Sequence, residues 1–267
     1  MKEKIIFIHG ISNQTTGYSD WLYRETLARY GQMLSKQGYL PATVAARLAE
    51  FSQFEMLWAD CTGPDVSKYM QTQYPDGRPG AWTGIERRVD PLVAQLGIYT
   101  RDKERGGPIV QRINELFRQA LADSPDRITV IGHSLGSVIA WDYLFGWQDG
   151  FRLDKNVPVR ALVTMGSPIP LFAAMMRHPV SDAALPANIG RWVNLIDPDD
   201  GVARFCRPHF SAIDRERMED VEVSTGFWMI SSHSGYWSSR STAEAICIVQ
   251  ATPQCSVTNT SVPAHTE

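Results

Sequence analysis

Residues 127–145 constrain this chain more than any other stretch. Arg127-Ile128-Thr129-Val130-Ile131 is a short apolar run with β-branched residues, the pattern of a strand buried on both faces. Residues 137–145 continue as a helix. Between them, Gly132-His133-Ser134-Leu135-Gly136 must reverse the chain from strand to helix within five residues. So tight a turn brings neighbouring backbone into contact, and a side chain at 132 or 136 would collide with it, so both positions want glycine. The serine between them sits on strained backbone, its hydroxyl lifted above the strand end and next to a helix N-terminus, whose dipole favours developing negative charge. A chance match to this five-residue pattern in an ordinary loop would lack the strand before it and the helix after it.

The rest of the chain alternates in the same way. Apolar runs at 5–8, 54–58, 159–165 and 191–196 read as strands, and 218–223 as a short sixth. Helical spacing appears from Trp21 to Leu34 with Gly38 at its end, over 108–121 behind Pro108, and over 242–249. Strands alternating with helices predict a mostly parallel central sheet of about six strands flanked by helices. At 267 residues, 43% of them hydrophobic, the chain is long enough to close one such domain, expected over 1–255. Residues 61–88 are rich in proline, glycine and aromatics and read as an irregular excursion over the sheet top, serving as a lid. Residues 256–267 are polar and read as a tail.

Several function classes fall away. A net charge of −3 gives no electrostatic footprint for nucleic acid and no strongly basic surface for a membrane. The four cysteines, Cys61, Cys206, Cys247 and Cys255, form no C-x-x-C pair and fit no zinc spacing, so no metal is expected and the cysteines read mostly as free thiols. No H-E-x-x-H sequence is present, which sets a metal-dependent hydrolase low. The apolar run after Met1-Lys2-Glu3-Lys4 is too short for a signal-peptide core, and no stretch reaches the ~18 apolar residues of a spanning helix. The expected location is the cytoplasm, with signal-independent export open.

Four landmarks now line up: His9-Gly10-Ile11 after the first strand, Gly132 to Gly136, Gly166-Ser167-Pro168 after the fourth, and the late Asp and His segments. Together they resemble the α/β-hydrolase superfamily, in particular its small lipase-like and esterase-like members, over residues 5–249. The resemblance implies the α/β-hydrolase fold, no cofactor, and a Ser–Asp–His triad in that chain order. Ser134 is then the nucleophile. His233, in Ser231-Ser232-His233-Ser234-Gly235-Tyr236, lies where the superfamily places its base, with His209 as runner-up. Asp197, Asp199 and Asp200 compete for the acid; Asp200-Gly201-Val202 matches the lipase-like pattern. The residue after the nucleophile, Leu135, supplies one oxyanion donor, and the match to His-Gly assigns Ile11 as the other. His9 is then structural, and His133 reads as packing.

The expected reaction is cleavage of a carboxylic ester, of a lipid or an acylated small molecule, through an acyl-enzyme. An acyltransferase or an amidase would use the same triad, and a binding protein on the same scaffold would use none of it. The segment from Ile169 to Met176 begins at the same sheet edge. Leu171, Phe172 and Met175 read either as an acyl-pocket wall or as a helix face on the core, because periodicity does not separate the two. Tyr69, Tyr74, Trp82, Tyr236 and Trp237 are further aromatic candidates for substrate contact, each weighed against a place in the core. Oligomeric state is not legible in the sequence.

Overall fold

In the computed structural model, residues 1–11, 14–62, 97–101, 107–146, 150–175, 184–210, 212–213, 216–227 and 229–252 are described. The apolar runs become strands β1 (Glu3–Ile8), β2 (Phe51–Met56), β3 (Arg127–His133), β4 (Val159–Met165), β5 (Ile189–Ile196) and β6 (Met218–Glu222). They form one sheet in the order β2-β1-β3-β4-β5-β6, and every neighbouring pair is parallel. Parallel neighbours need long return connections, which here carry helices. These are α1 (Asp20–Lys36), α2 (Pro41–Leu48), α3 (Pro108–Ala120), α4 (Leu135–Phe145) and α5 (Ile169–Met175), and after the last strand come α6 (Met229–Gly235) and α7 (Arg240–Ala251). The chain is an α/β fold with a six-stranded, all-parallel sheet.

The pleat sends alternate side chains to opposite faces, and both faces are covered. Ile6, Ile8, Val130 and Leu162 pack with Ile113 and Phe117 of α3 and Val138 and Trp141 of α4. Ile5, Phe7, Ile131 and Val163 pack with Leu22 of α1 and Ala243 and Ile246 of α7. Each fully buried aliphatic side chain contributes about 1.5–3 kcal/mol. α4 is buried from Leu135 through Leu144, which explains its lack of a polar face.

The structure departs from the sequence reading at β2, at α2 and at α6, where a short helix over Met229–Gly235 stands in place of an unassigned connection. β2 starts at Phe51 and stops at Met56, and Trp58, read as strand, instead packs beyond it against His9. β2 is an edge strand with partly polar, half-buried residues, so its apolar signal is weak and Trp58 draws it forward. α2 was not anticipated, because Val44 alone of its residues is buried. Cys206 and Cys247 are buried free thiols, and the Cys61 thiol donates to the Trp58 carbonyl oxygen at 2.9 Å. The excursion beyond Thr62, the tail over 256–267, Tyr69, Tyr74, Trp82, Met176 and Cys255 lie outside the described residues, as do His178 and His265. No described helix is long and apolar enough to cross a membrane.

At the N-terminal end of the sheet, Glu3 is 1% exposed. Its carboxylate accepts from Arg160 Nε at 3.0 Å, Arg127 Nε at 2.6 Å and Thr129 Oγ1 at 2.9 Å. Arg160 is itself 5% exposed and donates a further bond to the Thr252 carbonyl oxygen. Removing one member leaves a buried charge without its partner, which costs about 3–5 kcal/mol. Glu3→Ala should therefore lower the urea-unfolding free energy by about that amount. A loss under about 1 kcal/mol would show that water reaches Arg160.

Candidate active site

Because all six strands run the same way, every strand-to-helix turn emerges at one edge. Strand order reverses between β1 and β3, since the chain goes from β1 outward to β2 and then returns to β3 on the other side. Open parallel sheets hold ligands in the crevice at such a reversal. Here the turn after β1 carries Gly10 and Ile11, and the turn after β3 carries Ser134 and Leu135.

Ser134 has φ 53° and ψ −127°, a conformation that side-chain-bearing residues rarely adopt. Strain of this kind costs about 1–3 kcal/mol and persists only where surroundings impose it. They do. The Ser134 N–H donates to the Met165 carbonyl oxygen on β4 at 2.9 Å, and its own carbonyl oxygen accepts from the Ser137 N–H at 2.9 Å and the Ser137 hydroxyl at 2.5 Å. A Cβ on Gly136 would overlap the carbonyl oxygens of Ile8 and His9, and one on Gly132 would lie 2.6 Å from the Gly136 carbonyl oxygen. The turn thus wedges α4 against the end of β1 and brings the Gly10 backbone close to the Ser134 hydroxyl.

The structure places Ser134, His233 and Asp200 in one hydrogen-bonded line. Ser134 Oγ lies 2.9 Å from His233 Nε2, and His233 Nδ1 lies 3.0 Å from Asp200 Oδ2 and 3.1 Å from Oδ1. Asp200 follows β5 and His233 lies on α6 after β6, so the three groups come from three strand ends. Gly166, at the end of β4 with φ +56°, backs the pair. A Cβ there would stand 2.9 Å from Asp200 Oδ2 and 3.2 Å from His233 Nδ1. Of the competing acids, Asp197 is committed elsewhere. Its Oδ1 accepts from the Asp199 N–H at 2.9 Å, and its Oδ2 lies 2.5 Å from Thr225 N and 2.6 Å from Thr225 Oγ1. His209 is exposed in a short 3-10 helix and does not line the cavity.

Burial opposes ionisation of Asp200. Bonds from His233, from the Val202 N–H at 2.8 Å and from the Tyr236 hydroxyl at 3.1 Å outweigh it, so the carboxyl titrates below its usual range. The Tyr236 hydroxyl also accepts from the Asp197 N–H at 2.8 Å, tying both acids to one ring. Burial, with Asp200 nearby, pushes the phenol up and keeps its proton in place. Sequence reasoning treated Tyr236 only as an aromatic contact; no sequence signal marks this pairing.

Two more histidines flank the line, both held neutral. Burial lowers His133 to about 3, helped by the neighbouring His233, and lowers His9 to about 4 against the opposing pull of Asp60 and Glu55. His9 Nδ1 lies 2.7 Å from the Gly10 carbonyl oxygen, and its ring stacks on Trp58 at a centroid distance of 5.5 Å. A carbonyl only accepts, so Nδ1 carries the proton. This is the structural role expected of His9, and it fixes the peptide plane that also carries the Ile11 N–H.

Neutral burial has a pH consequence. Between the ordinary histidine value of 6.5 and the folded values of about 4 and about 3, the unfolded chain binds two protons that the folded chain refuses. Stability is therefore greatest above pH 6.5 and falls as pH drops, by about 3 kcal/mol per pH unit from the two groups together near pH 5. Asp200 and Asp197 are shifted down instead, and their contribution fades only below about pH 4. Urea unfolding measured from pH 7 to pH 4.5 checks this; a flat profile would mean that these rings accept protons in the folded state.

Ser134 and His233 open into a cavity of about 460 Å³. Its wall includes Ile11, Leu135, Pro168, Leu171, Phe172, Val202 and Trp237. No Lys, Arg, Asp or Glu is among the described lining residues. Leu171 is half exposed on the wall, whereas Phe172 is 5% exposed and belongs to both wall and core. α5 thus lines the cavity with Leu171 and Phe172 and packs Phe172 into the core. Met175 ends α5, and its side chain lies outside the described set. Val202 also lines the wall, in a loop that the Arg204 N–H ties to the Ser167 carbonyl oxygen at 2.9 Å, next to Pro168. No group of three or more potential metal ligands occurs among the described residues. No protein-family model and no curated protein matches the chain.

Proposed function

We propose that the protein is a serine hydrolase of the α/β-hydrolase type that cleaves uncharged carboxylic esters of lipids or acylated small molecules. The observation that carries this reading is the unbroken Ser134–His233–Asp200 line at the mouth of an apolar cavity. In the reaction, His233 Nε2 takes the Ser134 proton as Oγ bonds to the ester carbonyl carbon. The carbonyl oxygen becomes an oxyanion and accepts from the backbone N–H groups of Ile11 and Leu135, each worth about 3 kcal/mol to the transition state. Collapse breaks the ester C–O bond, and the alcohol leaves with the proton from His233. Water then attacks the acyl-enzyme, giving its proton to His233, and the acid departs as Ser134 recovers a proton. Asp200, ionised, orients His233 and offsets its charge while it holds the extra proton. The apolar wall favours the acyl chain of a neutral ester over a charged substrate.

A fluorophosphonate probe tests the reading, because it reacts with activated serines and leaves ordinary ones untouched. One equivalent of label on Ser134, found by peptide mass spectrometry, is the expected result. A folded protein that takes up no label at Ser134 overturns the assignment.

A further inference from the structure

His133 precedes the proposed nucleophile, and its ring does more than fill space. Its Nε2 lies 2.6 Å from the carbonyl oxygen of His233. The carbonyl cannot donate, so the His133 ring carries its proton on Nε2 and donates it. The ring is 7% exposed and lies 4.9 Å from the His233 ring and 5.6 Å from that of Trp237. Two consecutive residues at the end of β3 therefore grip one residue of α6. Ser134 meets its side chain, and His133 meets its main chain.

α6 needs such a grip. It has seven residues, too few to hold a helix by its own hydrogen bonds, and its last carbonyls have no partner within the helix. Outside groups supply them. Thr225 Oγ1 lies 2.6 Å from the Ser232 carbonyl oxygen but also 2.6 Å from Asp197 Oδ2, so its one proton is divided between them, whereas His133 takes the next carbonyl along undivided. Only the second of these comes from the element that also carries the nucleophile. A shift of α6 relative to Thr225 would move the base away from Ser134, whereas the His133 bond ties the base to the nucleophile's own strand.

We propose that His133 is a positioning residue that sets the distance between Ser134 and His233 by anchoring the main chain of the base. The inference rests on the proposed function for its kinetic reading, and on geometry alone for its spectroscopic one. Displacing a reacting group by about 1 Å can cost about 100-fold in rate, and this sets the scale of the effect.

The test compares wild type with His133→Phe, which keeps an aromatic ring and loses the donor, and His133→Gln, whose amide returns a donor at similar reach. Rates of fluorophosphonate labelling and kcat and KM for p-nitrophenyl butyrate are measured on each. The far-downfield proton resonance of His233 Nδ1–H, bonded to Asp200, is followed by NMR and needs no turnover. For His133→Phe, kcat and labelling rate should both fall by about 100-fold with KM changed less than about threefold, and the resonance should broaden or vanish. His133→Gln should recover at least about tenfold of the lost rate, together with the resonance. A ring that only packs would give the opposite order, with Phe near wild type and Gln impaired, and that result overturns the proposal. If His133→Phe fails to fold, His133→Asn, whose amide stops short of the carbonyl, replaces it with the same expectations. If wild type takes no label and hydrolyses no ester, the proposed function fails. The resonance alone then decides the anchor, by its loss in His133→Phe or its persistence.

Discussion

Ser134→Ala should lower kcat for p-nitrophenyl esters, assayed from acetate to palmitate, by about 10⁴- to 10⁶-fold while the protein stays folded. The substitution removes one oxygen whose described partner is His233 Nε2, at 2.9 Å. The bonds that hold the turn all use the Ser134 backbone and survive the change. Residual catalysis from the backbone donors and from binding keeps the loss finite. Circular dichroism and urea unfolding guard against a trivial loss through misfolding. Full activity in the variant would remove Ser134 from the mechanism, and the chain length preferred by wild type would report how much of the 460 Å³ cavity the acyl group fills.

Asp200→Asn should cost about 10⁴-fold in kcat, because an amide in that place stabilises the wrong histidine tautomer and carries no charge to offset an imidazolium. Both oxygens of Asp200 only accept at present, from His233, Tyr236 and Val202. An amide nitrogen would set a donor against at least one of those donors. Asp197→Asn is the control. Its amide keeps one acceptor oxygen and turns a donor toward either Thr225 or Asp199, so it should destabilise the loop by about 1–3 kcal/mol and lower kcat less than about tenfold. If the two variants exchanged roles, Asp197 would be the acid and the assignment of Asp200 would fall.

The sequence carries the central strands and the Ser134 turn legibly because both are local. An apolar run of five residues and two glycines flanking a serine can be read without knowing what they touch. α2 and β2 were missed or displaced for a related reason: each buries little, and pattern reading sees only what is buried. The site was legible up to the point where partners are remote. Asp197, Asp199 and Asp200 lie within four positions, and what separates Asp197 from Asp200 is that Thr225 holds one and His233 the other. His133 read as packing because the carbonyl it meets belongs to a residue 100 positions later, and main-chain partners leave no mark on side-chain identity. Gly166 is the intermediate case. A glycine after a strand suggests a turn, but the need for it arises from Asp200 and His233 behind it.

The backbone of Ser134, at φ 53° and ψ −127°, sets function against robustness at a single codon. Glycine adopts that conformation without steric strain, so Ser134→Gly should relieve about 1–3 kcal/mol of strain while removing the hydroxyl that meets His233. Under the proposed function, serine at this position gives up backbone stability to keep a hydroxyl 2.9 Å from His233 Nε2.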